Sequence, residues 1–179
     1  FFRNLVAFLP LAFFVARAGG LSTLRTRHLG GHLVRGAVGL TAMVCFFLSY
    51  KLLPLGEAVA LGMAGPLFIT ALSVPLLAEK VGIRRWSAVI VGFAGVLVMT
   101  RPGSGIFDPA ALIPLAGAFF LGLAMVMVRR LSRTEQSATI VFYFTITATL
   151  ASGASLPWQW VTPDATGLAA LVAIGLIGG

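Results

Sequence analysis

Residues Tyr50–Gly103 read YKLLPLGEAVALGMAGPLFITALSVPLLAEKVGIRRWSAVIVGFAGVLVMTRPG, and this stretch decides the fold. Two apolar runs flank a short charged turn, Glu79-Lys80-Val81-Gly82-Ile83-Arg84-Arg85. The first run, Leu55–Ala78, has the length of a membrane-spanning helix, about 20 residues, and carries Pro66 in its middle. The second, Trp86–Thr100, carries Gly92 and Gly95 and leads into Arg101-Pro102-Gly103. Neither run alternates polar and apolar residues, as a barrel strand would. In lipid every backbone polar group must be satisfied within the segment or within a closed barrel. The stretch therefore reads as a hairpin of two spanning helices.

The same chemistry extends outward. Hydrophobic residues make up 59% of the 179 and charged residues 10%, with a mean hydropathy of +1.01. A soluble domain carries about 25% charged residues, so this chain cannot cover a water-facing surface. The expected fold is all-α, a polytopic transmembrane bundle. Seven apolar segments lie at Phe1–Ala16, Leu33–Tyr50, Leu55–Ala78, Trp86–Thr100, Pro109–Val128, Ser137–Leu156 and Ala165–Gly179. Where a run is short, flanking Arg35, Lys51, Arg85 and Arg101 can snorkel and lengthen it. Cys45 is the lone cysteine, which excludes an internal disulfide.

The net charge of +8 would point to nucleic acid in a soluble protein. Its placement points to lipid instead. Ten of the thirteen cations fall in the first, third and fifth connections. They are Arg17, Arg25, Arg27 and Arg35; Lys80, Arg84 and Arg85; and Arg129, Arg130 and Arg133. Arg3, Lys51 and Arg101 fall on the other side. The positive-inside rule puts the ten-charge side in the cytoplasm. Anionic headgroups are the expected contacts there, and no nucleic acid is implied. Trp158 and Trp160 fit an outer aromatic belt and Trp86 an inner anchor. Phe1 falls outside by the same count, which calls for a further helix before it. Gly36 and Gly39 match Gly175 and Gly178 at a constant offset, a weak internal repeat that asks for the same helix. Small residues at four-residue spacing, Ala88/Gly92 and Ala118/Gly122, read as close-packing positions.

In order and spacing these pieces resemble the EamA-type transporters of the drug/metabolite transporter superfamily. Arg3, Pro54-Leu55-Gly56-Glu57-Ala58, Gly65-Pro66-Leu67-Phe68, Glu79, Gly92 through Gly95, Arg129-Arg130-Leu131 and Phe142-Tyr143 carry the likeness. Pro75, nine residues after Pro66, departs from the pattern and predicts a less regular second half of that helix. The resemblance implies a ten-helix carrier of two inverted five-helix repeats, of which the chain holds helices two to eight. Residues 1–106 would be the first repeat without its first helix, and 107–179 an incomplete second repeat. It further implies alternating access in the inner (plasma) membrane, on a small polar or amphipathic metabolite, without a cofactor. Helices three, four, six and eight would line the cavity, with Ser49, Glu57, Met63, Pro66 and Thr70 as lining residues. A second copy of the chain is left open as a partner.

Residue chemistry offers a competing reading at each site. Glu57 follows Pro54 by one turn, where a carboxylate offsets the helix dipole; otherwise it lines an outward cavity. Pro66 cannot donate to the Gly62 carbonyl, so the helix can bend there. Glu79 sits at the unfavourable end of the dipole and needs a cation; Lys80, Arg84 and Arg85 are at hand, as a latch or a gate. His28 and His32, four apart, share a helical face, but no third ligand is near and headgroup contact is the expectation over a metal. Ala16-Arg17-Ala18 mimics a signal-peptidase site, yet the arginines after the run should hold that end inside. Ser152-Gly153 superficially resembles an intramembrane protease nucleophile, without a base in reach, so no enzyme is expected. A non-transporting scaffold or channel subunit is the remaining alternative.

Overall fold

The structure is a computed structural model that describes residues 2–17, 20, 24–100, 108–154 and 165–177. Arg101, the Gly105 region, Trp158, Trp160 and Gly178 lie outside the described residues, as does the side chain of Arg3. The elements are α1 (Phe2–Val6), α2 (Phe8–Arg17), α3 (Leu29–Leu52), α4 (Leu55–Gly62), α5 (Gly65–Leu77) and α6 (Ile83–Thr100). A 3₁₀ turn (Pro109–Ala111) leads into α7 (Leu112–Leu131), followed by α8 (Ser137–Ala154) and α9 (Ala165–Ile177). Each of the seven apolar segments is helical over most of its described residues. Among the described residues, five stretches are long and apolar enough to span a bilayer: Leu29–Leu52, Leu55–Leu77, Ile83–Thr100, Pro109–Leu131 and Ser137–Ala154. The chain is a multi-pass helical membrane protein.

Proline chemistry explains where the long segments break. A helical proline has no N–H for the carbonyl four residues back. α1 ends at Val6, four residues before Pro10, and α4 ends at Gly62, four residues before Pro66. The new helix then begins so that the proline falls in its first turn, where an N–H has no intrahelical partner anyway. Pro114 repeats the logic, with the 3₁₀ turn ahead of α7. The bend expected at Pro66 is thus a two-residue break at Met63–Ala64, spanned by bonds from Met63 N to Val59 O (3.1 Å) and Ala64 N to Leu61 O (3.1 Å). Pro75 behaves otherwise: α5 runs through it and stops at a left-handed Ala78 (φ 53°).

The helices form two packing units, each drawing on both halves of the sequence. The first comprises Phe1–Gly36 and Leu131–Gly179, and the second Ala37–Arg130. In the first, α8 packs on α1 and α2, and α9 on α1. Phe8 meets Phe142 edge to face at 6.1 Å. An apolar cavity of about 270 Å³ lies between Phe8, Leu11, Val15, Leu24 and Phe142.

In the second unit, α5 is held by close backbone approach. A Cβ at Gly122 of α7 would come within 2.9 Å of Phe68 Cβ and 3.1 Å of the Ile69 backbone nitrogen. At Gly92 of α6 it would meet the Leu67 side chain at 2.6 Å. Phe68 stands edge to face with Phe93 (5.1 Å) and Phe119 (5.6 Å). Lipid tails give apolar helices no reason to associate, so small residues that admit such contact supply the attraction. Gly92 and Gly122 are the packing positions their spacing predicts.

Candidate functional site

The second unit holds the sequence-predicted cavity residues. Pro54 precedes α4, and Glu57 in its first turn donates its backbone N–H to Pro54 O at 3.0 Å. The Glu57 side chain borders a concavity of about 630 Å³ with Val98, Met99, Thr100 and Asp108. Asp108 caps the 3₁₀ turn by accepting from Ala110 N at 2.8 Å. Thr100 donates to Val96 O at 3.0 Å, within its own helix. Two carboxylates thus line one recess together with Val98, Met99 and Ala111.

The other four lining candidates lie in different settings. Met63, in the helix break, is 73% exposed. Pro66 is exposed, and Thr70 donates to its carbonyl at 3.0 Å. Ser49 is fully buried, with its hydroxyl donating to Phe46 O at 2.7 Å. The structure therefore joins Pro66 with Thr70, sets Glu57 at the recess, and turns Ser49 inward onto its own helix.

At the far end of α5, Glu79 Oε2 accepts from Arg129 Nη1 at 2.9 Å. The cation that the dipole argument demands comes from the end of α7, not from the neighbouring turn. Lys80, Arg84 and Arg85 are exposed. Sequence neighbours suggested the partner, but a backbone that turns sharply at Ala78 presents the carboxylate to another helix. The signal for Arg129 was its place in the next cationic connection on the same predicted side.

The first unit holds a second polar cluster. His28 is exposed, whereas His32 is 1% exposed, so the two do not share one surface. The His32 ring stacks on Tyr143 at 4.7 Å and 27°. Tyr143 donates its hydroxyl to Leu24 O at 3.1 Å. Arg35 lays its guanidinium over the Phe144 ring at 3.9 Å. Thr26 donates to Glu135 Oε1 at 2.6 Å. The expected headgroup contact of His32 gives way to burial, because its ring fits against the aromatic pair of α8. The three-residue spacing of His32 and Arg35, facing Tyr143-Phe144, was the available signal. Ser152 donates to Ala148 O at 2.7 Å, a bond within its own helix.

The chain is similar to known proteins. The model of the EamA-like transporter family matches residues 1–101. A riboflavin transporter of Vibrio cholerae is 33% identical over 147 residues, covering 81% of this chain and 48% of its own length. An S-adenosylmethionine uptake transporter of Rickettsia prowazekii is 26% identical, covering 99% and 59%. The pseudopaline exporter CntI of Pseudomonas aeruginosa is 30% identical, covering 89% and 55%. A crystal structure of another protein superposes with a TM-score of 0.71 at 25% identity, over 98% of this chain and 62% of that one. The chain spans about half the length of the curated relatives it matches. With its family model matched over more than half the sequence, and a proline-broken span and glycine-packed helices to go with it, this chain belongs to the EamA-like transporter family.

Proposed function

We propose that this chain is part of a secondary transporter that moves a small polar or amphipathic metabolite across the inner membrane by alternating access. The observation that carries this reading is the break at Met63–Ala64 within an otherwise apolar span. Broken helices place backbone carbonyls and helix ends at mid-membrane, where carriers bind solutes. The names of the relatives supply the substrate class: riboflavin, S-adenosylmethionine and pseudopaline. Residues 1–106 and 107–179 are taken as parts of two successive repeats, which the end of the family match at residue 101 supports. Glu57, Met63, Pro66 and Thr70 line the solute path, while Ser49 is turned away onto Phe46 O. Glu79 paired to Arg129 latches the cytoplasmic end, where Lys80, Arg84 and Arg85 lie exposed. Exposed Arg25 and Arg27 face anionic headgroups on the same side.

Transport is tested with the full-length protein in proteoliposomes. Radiolabelled riboflavin and S-adenosylmethionine are offered with and without unlabelled solute inside. Saturable uptake accelerated by internal solute is expected of a carrier. Non-saturating flux without such exchange would identify a channel instead. Orientation is tested with single cysteines in a Cys45→Ala background, using an impermeant thiol reagent on intact cells. Position 105 should label and position 82 should not; the reverse pattern inverts the proposed topology.

A further inference from the structure

The first turns of α3 and the middle of α8 hold buried donors for which transport has no use. His32 has both ring nitrogens buried without a hydrogen-bond partner, and Arg35 has Nε and Nη1 in the same condition. One face of each group is occupied. The imidazole lies on Tyr143 and the guanidinium lies over Phe144. Stacking and cation–π contact use the face of a planar group and leave its in-plane N–H donors unsatisfied. A buried donor left in that condition destabilises the fold, and more so when charged. Arginine stays protonated in proteins, so this cost cannot be escaped by titration.

The electrostatics run the same way. His32 and Arg35 lie in the first two turns of α3, the end where the helix dipole disfavours cations and favours anions. Exposed Arg25, Arg27 and His28 add positive charge before the helix. From the other side Glu135 is the carboxylate that acts on His32, and its Oε1 is taken by the Thr26 hydroxyl. The cluster thus carries more donors and more positive charge than its own residues satisfy.

We propose that His32 and Arg35, backed by Tyr143 and Phe144, form a binding site for an oxyanion, a phosphate or carboxylate group. Its source is either a small solute or the phosphodiester of a lipid headgroup, and the chemistry is the same: charge-assisted bonds in the ring planes. The site stands apart from the transport reading. It is measured as equilibrium binding, so a failed uptake assay leaves it untouched.

The test uses the full-length protein in an uncharged detergent. Sodium phosphate and sodium acetate are titrated against sodium chloride at constant ionic strength while the thermal midpoint is followed. In parallel, midpoints are compared in phosphatidylglycerol and phosphatidylcholine nanodiscs. A saturable rise with either solute identifies a soluble anion, and a rise confined to phosphatidylglycerol identifies the headgroup. In either arm Arg35→Gln and His32→Gln should weaken the effect about 10-fold or more, the loss of one charge-assisted bond, while Lys51→Gln, at the other end of α3, leaves it unchanged. Should Arg35→Gln fail to fold, Arg35→Lys keeps the charge without the planar donors. Weaker binding by Arg35→Lys or by His32→Gln then supports the site, and unchanged binding by both overturns it. The wild-type protein alone can also overturn it, if neither solute nor phosphatidylglycerol raises the midpoint. A rise that Arg25→Gln abolishes and Arg35→Gln preserves assigns the anion to the loop and rejects the proposal.

Discussion

The two halves of the broken span are held in different ways. α5 is gripped through its backbone: Phe68 Cβ and Ile69 N abut Gly122, and the carboxylate just beyond its end is tied to Arg129. α4 buries Ala58 and Leu61 completely, but at Gly62 it is packed against a side-chain tip. A Cβ at Gly62 would meet only the edge of the Phe46 ring, at 2.9 Å, and Glu57 faces a recess. Between them Met63 stands 73% exposed. A ring edge can slide or rotate where a backbone contact cannot. Under the alternating access proposed above, this difference predicts α5 as the fixed arm and α4 as the moving one.

The largest expected effect breaks the fixed arm. Gly122→Ala places a methyl against backbone that has no rotamer to change. It should lower stability by about 1–3 kcal/mol, the usual cost of overpacking. Gly62→Ala should stay within about 1 kcal/mol of wild type, because the Phe46 ring can turn aside and alanine is the better helix former. Thermal unfolding of the detergent-solubilised full-length proteins gives both values. Equal losses at the two positions would erase the distinction between the arms.

The next effect sharpens the anchor beyond the end of α5. Glu79→Gln and Arg129→Gln should each lower folded yield, and a double-mutant cycle should return about 0.2–1 kcal/mol, since the arginine is more than half exposed. Arg84→Gln should change little. A coupling found with Arg84 and absent with Arg129 would restore the local latch that neighbouring residues suggest.

That contrast also marks how far the sequence alone reaches. The helices are legible from apolar runs, because lipid leaves the backbone no other open-chain solution. The break after Gly62 is legible too, four residues before Pro66, whereas the one after Val6 divides a run that reads as a single helix. The width of the Gly62 break is not legible, because a kinked helix and a two-residue gap remove the same hydrogen bond. Pro75 warns against reading every proline alike: α5 continues through it. Tertiary partners were the hidden part. Arg129 is fifty residues from Glu79. His32 meets Tyr143 only because α8 returns beside the start of α3. Periodicity within one helix carries no information about which side chain of another helix fills the space opposite.

The smallest stability effect falls on the moving arm, where the functional effect should be plain. Glu57 sits at the favourable end of the α4 dipole, and no hydrogen bond or ion pair holds its side chain among the described residues. Glu57→Gln should therefore cost only about 0.3–1 kcal/mol, the worth of one carboxylate at a helix N-terminus. The carboxylate nevertheless shares its recess with Asp108, so the charge there is the pair's and not one residue's. Removing half of it changes what the recess attracts: a cationic or zwitterionic solute loses a contact, and an anionic one loses a repulsion. Uptake per folded molecule should shift in rate or in pH dependence, in opposite senses for those two solute types. Asp108→Asn should shift it in the same sense while also weakening the cap on Ala110 N. If Glu57→Gln transports like wild type across pH while Glu79→Gln folds normally and is inactive, the moving and fixed arms are the reverse of those drawn from the packing.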